Sequence, residues 1–212
     1  MELEDLSALQ DFLDNAALNV ALSHLASSSR AERMTGAVLD STARIFDLIR
    51  AIQQYSYMDQ APLQEVDIAQ SLENTLSMLH YRLNKVVVIR EFNADLPRVI
   101  ANGSELNQVW MALLENALDA MQERGTLRMK AERAGDMARV EIWDDGPGIP
   151  PELHSRIFEP FFTTKSPDKG HGLGLDSVQR ILNRHRGFIA VQSRPGATCF
   201  QVRIPFQQAG AY

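Results

Sequence analysis

Apolar residues recur at helical spacing through the first 60 positions: Leu6, Leu9, Phe12, Leu13 and Ala16, then Leu18, Ala21, Leu22 and Leu25. A second stripe follows Gly36: Val38, Ile45, Leu48, Ile49, Ile52 and Tyr55, close to a heptad over 38–45–52. Two helices with such narrow stripes bury little by themselves. The pattern predicts a helical hairpin that completes its core against a partner, most simply a second copy, as a four-helix bundle. Packing onto the rest of the chain is the alternative.

After Ala61-Pro62 the pattern changes. Asp67 is placed to cap a helix reaching about Leu83. The β-branched run 86–92 predicts a strand. Ser104 is placed to cap a helix over 105–122, with Leu106, Val109, Trp110, Leu113, Ala117 and Met121 as its apolar stripe. Further strands are predicted over 126–131, 138–144, 188–193 and 198–204, and Val140-Glu141-Ile142-Trp143 alternates as a strand with one buried face does. A helix over 175–186 should stop at Gly187. Between them, 145–173 is loop-like and carries Pro147, Pro150, Pro151, Pro160 and Pro167. The predicted fold is α+β: a two-layer α/β sandwich, a mixed sheet covered on one face by helices, preceded by the hairpin. The expected division is 1–60, 61–207 and a tail, 208–212.

Charge and composition narrow the function classes. Of the net −6, the first 60 residues hold −5, with four Arg and no Lys against nine Asp/Glu. No Lys/Arg cluster suggests a nucleic-acid surface. No run of about 18 apolar residues suggests a membrane span, and the acidic start, Met-Glu-Leu-Glu-Asp, is unlike a signal peptide. The single cysteine, Cys199, allows no internal disulfide and reads as a strand residue of a protein in a reducing, cytoplasmic compartment.

Three segments carry candidate chemistry. On the helix of 105–122, Ala112, Asn116 and Asp119 share a face, which presents an amide and a carboxylate together; one Asn carbonyl oxygen plus phosphate oxygens suits a hard cation such as Mg²⁺. Asp144 ends a strand and precedes Asp145-Gly146-Pro147-Gly148. A carboxylate only accepts hydrogen bonds, so it can select the exocyclic amine of adenine, and neighbouring glycines leave room for a flat base. Gly170-His171-Gly172-Leu173-Gly174-Leu175 precedes a helix, whose free N–H groups favour phosphate. Its spacing fits neither the Walker pattern nor the dinucleotide fingerprint. The preceding 165–169 is polar and reads as part of a loop that orders over a triphosphate. In Phe158-Glu159-Pro160-Phe161-Phe162-Thr163-Thr164-Lys165, three phenylalanines are expected to anchor that loop in the core, leaving Thr164 and Lys165 to face phosphate.

These boxes, in this order, resemble the ATP-binding catalytic module of sensor histidine kinases, within the superfamily shared by DNA gyrase, Hsp90 and MutL. The likeness runs from Asn107-Gln108-Val109 and Asn116-Ala117-Leu118-Asp119-Ala120, through Asp144 to Ile149-Pro150 and 157–165, to the glycine box; it covers about 62–206. Gly196-Ala197-Thr198 is similar to the family's last box, whose Thr lies beside adenine. Residues 55–62 look like a junction seen in soluble kinases with a cyclic-nucleotide-binding input domain. The resemblance implies a Bergerat-type ATP pocket between helices and sheet, with Asn116 holding Mg²⁺, Asp144 reading adenine and the glycines framing a lid. It also implies a response-regulator receiver domain as partner.

Two departures qualify the implied kinase. Its phosphoacceptor should be a His followed by Asp or Glu, but the only histidine near the N-terminus, His24, is followed by Leu25. His80, His154 and His185 lie in the catalytic part, and His171 in the glycine box. An acceptor histidine outside this chain is therefore expected. The second departure is Ala112. Many histidine kinases carry Asn here, and gyrase-like ATPases a water-activating Glu; alanine does neither job, and Glu115 points about 100° away around the helix. A binding module without catalysis is the alternative reading, followed by a serine kinase or ATPase of the same superfamily.

Overall fold

The computed structural model describes residues 63–165 and 172–207, with six further positions nearer the N-terminus: Val20, Leu22, Ser23, His24, Ser28 and Met34. The chain divides into two compact units, Met1–Tyr57 and Met58–Tyr212. All six N-terminal positions are helical and exposed. The rest of the predicted hairpin, the junction at 55–62 and the tail at 208–212 lie outside the described residues.

The second unit runs β1 (Gln64–Val66), α1 (Ile68–Met78), β2 (Val86–Phe92), β3 (Val99–Ala101), α2 (Gly103–Ala120), β4 (Gly125–Ala134), β5 (Met137–Asp144), α3 (Gly174–Arg184), β6 (Phe188–Arg194) and β7 (Ala197–Pro205). Short 3₁₀ turns occupy His80–Arg82, Pro151–Leu153 and Arg156–Phe158. The main sheet has the order β2-β4-β5-β7-β6. Only β2 and β4 run parallel, so the sheet is mixed.

Alternation along β5 explains the two layers. Ala138, Val140, Ile142 and Asp144 point inward and are buried, while their neighbours are partly exposed. Leu127, Met129 and Ala131 of β4 and Phe200, Val202 and Ile204 of β7 join that inner face, and α2 covers it with Leu106, Val109, Trp110, Leu113, Leu114, Ala117 and Leu118. Trp110 donates its indole N–H to Ser71 of α1, and Ser71 donates to Asn107, so the polar atoms between the two helices are satisfied. Within the second unit no described helix covers the outer face, which is a charged ladder. Arg128 pairs with Glu91, Lys130 and Arg139 with Glu132, and Gln201 donates to Glu141.

Several boundaries differ from expectation for local reasons. Asn102, not Ser104, caps α2, its side-chain oxygen accepting from the N–H groups of Ser104 and Glu105. Asp67 caps α1 as predicted, but α1 ends at Met78 and the chain passes into a 3₁₀ turn before reaching Leu83. Arg186, at φ 54°, takes the left-handed position after α3. Gly187 serves close approach instead, since a Cβ there would lie 2.5 Å from the Arg203 carbonyl oxygen. The two-strand sheet of β1 and β3 was not predicted; Ile100 N–H donates to the Phe206 carbonyl and ties it to the end of β7.

Candidate nucleotide site

The end of β5 builds one half of the site. Asp144 is 5% exposed, and its register partner on β7 is Thr198, at 3%. Burial, opposed by a hydrogen bond from Gly146 N–H to Oδ1 (3.0 Å) and assisted by the charge of Asp145, pushes the Asp144 carboxyl up to about 6. Among the described residues that is the one hydrogen bond its carboxylate makes, so an acceptor oxygen remains for a ligand donor. Thr198 Oγ1 lies 2.8 Å from Ser193 Oγ, and Ser193 Oγ accepts from Ile149 N–H at 2.8 Å. Ser193 was missed from sequence. It stands at an inward position after Ile189 and Val191, and a polar residue on a buried strand face is a readable signal.

Glycine is required twice in the turn that follows. A Cβ on Gly146 would lie 2.7 Å from Asp144 Oδ1 and 3.1 Å from Ala120 Cβ. Gly148 has φ 86°, and a Cβ would lie 2.7 Å from the Arg194 backbone. Gly196 N–H donates to the Gly146 carbonyl and clips the β6–β7 turn onto this loop. Asp145 points away from the site and accepts from Thr126 N–H at 2.8 Å.

Helix α2 builds the other half. Gly146 packs on Ala120 near its C-terminal end, and Gly174, the first residue of α3, faces Ala112 at 3.9 Å from a would-be Cβ. Asn116 therefore lies midway along the segment bracketed by the glycine turn and the start of α3, about one helical turn from each. Its N-cap residue, Leu173, makes no side-chain capping bond, so among the described residues the first N–H groups of α3 keep their capacity to donate. Gly172 leads into this start at φ 69°, and a Cβ there would lie 2.4 Å from the Phe161 carbonyl carbon.

Lys165 reaches the helix-built half from the loop after the last 3₁₀ turn. Its ammonium donates to Asn116 Oδ1 at 2.9 Å and to Asp119 Oδ2 at 2.5 Å. The other oxygen of Asp119 accepts from Arg82 at 2.5 Å, and Arg82 also pairs with Glu123 at 2.7 Å. Burial by itself would raise the Asp119 pKa, but hydrogen bonds and charge from Lys165 and Arg82 prevail and hold it below the usual carboxylate range. Arg82 had no sequence signal: it sits in a 3₁₀ turn, 37 residues before its partner.

Other expectations fare differently. The three phenylalanines do not anchor the loop together. Phe158 packs against the core, but Phe161 is 70% exposed because its φ of 65° turns it outward. Phe162 lies half-buried beneath the Arg156 guanidinium. Phe158 also lines an open groove of about 660 Å³ with His154, Asp176 and Val191, a groove whose lining includes neither Asp144 nor Asn116. Leu175 packs on the core and Leu173 is half-buried, while Thr164 is exposed. Gly170 and His171 lie outside the described residues. His24 is helical and exposed, in the other unit.

The donor set fits a nucleotide with a hard divalent cation. A buried acceptor-only carboxylate stands above a turn that tolerates no Cβ. An amide and a carboxylate oxygen already converge on one positive charge. No cluster of three or more His, Cys, Asp or Glu able to hold a metal occurs among the described residues. The Asn116 and Asp119 oxygens are of the kind that Mg²⁺ takes one or two of, completing its shell with phosphate and water.

Comparison with known proteins gives the same picture. Residues 101–208 match the family described as histidine kinase-, DNA gyrase B-, and HSP90-like ATPase. The chain is 30% identical over 186 residues to the sensory histidine kinase/phosphatase NtrB of Rhodobacter capsulatus, covering 81% of this chain and 52% of that protein. It superposes on the catalytic domain of histidine kinase ThkA with TM-score 0.63 and 32% identity, covering 68% of this chain and 95% of that domain. It also superposes on full-length ShkA in complex with AMPPNP, with TM-score 0.63 and 28% identity, covering 72% and 33%. The chain spans about half, or less, of the length of the curated relatives it matches.

Proposed function

Because the chain belongs to the histidine kinase-, DNA gyrase B- and HSP90-like ATPase family, and carries an ATP-binding catalytic domain of the histidine kinase kind, we propose that it serves a two-component sensor kinase. In this reading it binds Mg·ATP and passes the γ-phosphoryl to a histidine outside the chain, from which a response-regulator receiver domain takes it. The observation that carries the proposal is the position of Asn116 between the Gly146 turn and the start of α3, with Asp144 buried at the strand end.

Each residue then has a role. Asp144 accepts from the adenine amine, with Thr198 beside it. Gly146, Gly148 and Ile149 form the wall against the base. The first N–H groups of α3, with Gly172, Leu173, Gly174 and Leu175, face the phosphates, and Thr164 and Lys165 approach them from the other side. Asn116 and Asp119 offer oxygens to the metal. A Mg²⁺ ion held there would supply positive charge to the phosphoryl oxygens. The chain's own contribution is positioning and exclusion of water, since Ala112 supplies no base. We place the homodimer interface in the helices of 1–60 and the domain in the cytoplasm; no described helix is long and apolar enough to cross a membrane.

Incubation with radiolabelled ATP, Mg²⁺ and an added histidine-bearing hairpin tests the proposal. Acid-labile phosphate on the hairpin is expected. Acid-stable phosphoserine would identify a serine kinase, and sustained hydrolysis without transfer would identify an ATPase. Tight ATP binding with neither product would identify a binding module.

A further inference from the structure

The ammonium of Lys165 stands where a cation is wanted. It touches Asn116 Oδ1 and Asp119 Oδ2 together. A Mg²⁺ ion bound to either oxygen would sit at about 2.1 Å from it. Two cations cannot share that space, because they would overlap and repel. We propose that Lys165 is the resident counter-cation of this site, excluding free metal until a nucleotide offers its ammonium another anion. The inference rests on the assignment of Asn116 as metal ligand.

Three features make the exchange workable. Lys165 is a flexible point charge on a four-carbon stem, and its side chain is 33% exposed, so it can swing without repacking the core. Its backbone N–H donates to Thr163 Oγ1 at 3.1 Å, which leaves the stem as the moving part. Asp119 does not move with it. Arg82 grips the opposite carboxylate oxygen and is itself held by Glu123, so Asp119 Oδ2 stays aimed at Asn116 after Lys165 departs. Arg82 is thus a positioning residue, and Asp119 keeps one permanent and one exchangeable cation.

The charge balance sets the order of binding. Arg82 and Lys165 offset Asp119 and Glu123. Bare Mg²⁺ would have to evict Lys165 into solvent. Metal arriving with nucleotide evicts it onto phosphate. The domain therefore takes Mg²⁺ with the nucleotide and not before it.

Titrating Mg²⁺ into the full chain at fixed fluorescent ADP reads this directly. Lys165→Gln is expected to lower the Mg²⁺ midpoint about fivefold, an ordinary size for coupling between two ligands. Lys165→Arg, which keeps the charge on a different head group, should lower the midpoint less than Lys165→Gln does. Asn116→Ala should raise the midpoint about tenfold, as loss of a metal-site group commonly does. If Lys165→Gln leaves the midpoint unchanged or raises it while Asn116→Ala raises it, the counter-cation role is wrong and the metal ligand stands. If Asn116→Ala moves nothing, the ligand assignment fails and this inference with it.

Discussion

The strand-built end of the site and the helix-built end hold their polar groups by different means. Asp144 and Thr198 face each other across the β5–β7 ladder, nearly sealed from solvent, and their surroundings are backbone and small side chains. Asn116, Asp119, Lys165 and Arg82 meet through side-chain hydrogen bonds and ion pairs, with Asp119 and Lys165 about one-third exposed. A ladder fixes its residues whatever is bound. Ion pairs among half-exposed side chains exchange partners at little cost. The first arrangement suits recognition of one unchanging group, and the second suits a ligand whose charge and metal content vary.

The largest effect should come from breaking the rigid end. Asp144→Asn turns one acceptor oxygen into a donor facing the donor of the adenine amine. ATP affinity should fall at least about a hundredfold, because a buried polar site punishes a mismatched partner severely. The fold should persist, since the Asn oxygen can still accept from Gly146 N–H. The pH dependence sharpens this. The Asp144 carboxyl sits at about 6 in the folded chain against 3.8 when unperturbed. The folded state therefore holds its proton more tightly, and this contribution to stability is present below about pH 4 and lost as pH rises through about 6. Urea midpoints measured across that window should fall for the unaltered chain relative to Asp144→Asn. Normal ATP binding by the variant would remove Asp144 from the site.

A smaller effect should follow from crowding the glycine turn. Gly148→Ala combines a left-handed φ with a Cβ driven into the Arg194 backbone. It should cost about 2–4 kcal/mol of stability and weaken nucleotide binding. Gly135 is the control, because its φ of 66° is also left-handed but open space surrounds it. Gly135→Ala should cost only about 1 kcal/mol, the strain alone. Equal losses in thermal or urea unfolding would mean that the close approach at Gly148 contributes nothing.

The two ends were also unequally legible in the sequence. The rigid end could be read almost whole, because strand alternation, a terminal carboxylate and glycines at fixed offsets are local signals. Even Ser193 was available from alternation. At the helix-built end the single-helix part was legible, since Asn116 and Asp119 share a face by periodicity. The parts supplied from elsewhere were legible only in part. Arg82 reaches Asp119 from a 3₁₀ turn with no periodic pattern; Lys165 could be read as a candidate to face phosphate, but not its reach across the loop to Asp119. Phe161 misled for a related reason: counting phenylalanines as core presumes ordinary backbone, and its positive φ turns it to solvent. The strands β1 and β3, three residues each, are too short to show alternation.

Ala112 offers the finest test, because it lies at the helix-built end, one turn from Asn116 and away from the Gly146 turn. It lies one turn before Asn116 and beneath Gly174, where the start of α3 crosses α2. A Cβ on Gly174 would only just reach ordinary van der Waals contact with Ala112, and Ala112 is half-buried, so a somewhat larger side chain at 112 has a way out toward solvent. Ala112→Asn would add an amide close enough to orient water or Lys165 near the metal ligand. Binding of ADP, governed by the rigid end, should hardly change. Phosphotransfer to the added hairpin should rise by about tenfold, the low end for a supporting group at a metal site. A rise in transfer at constant ADP affinity would locate the catalytic shortfall at the helix-built end. A loss of affinity without a gain in transfer would mean that α3 packs too closely on Ala112 for any larger residue, and that alanine is there for space.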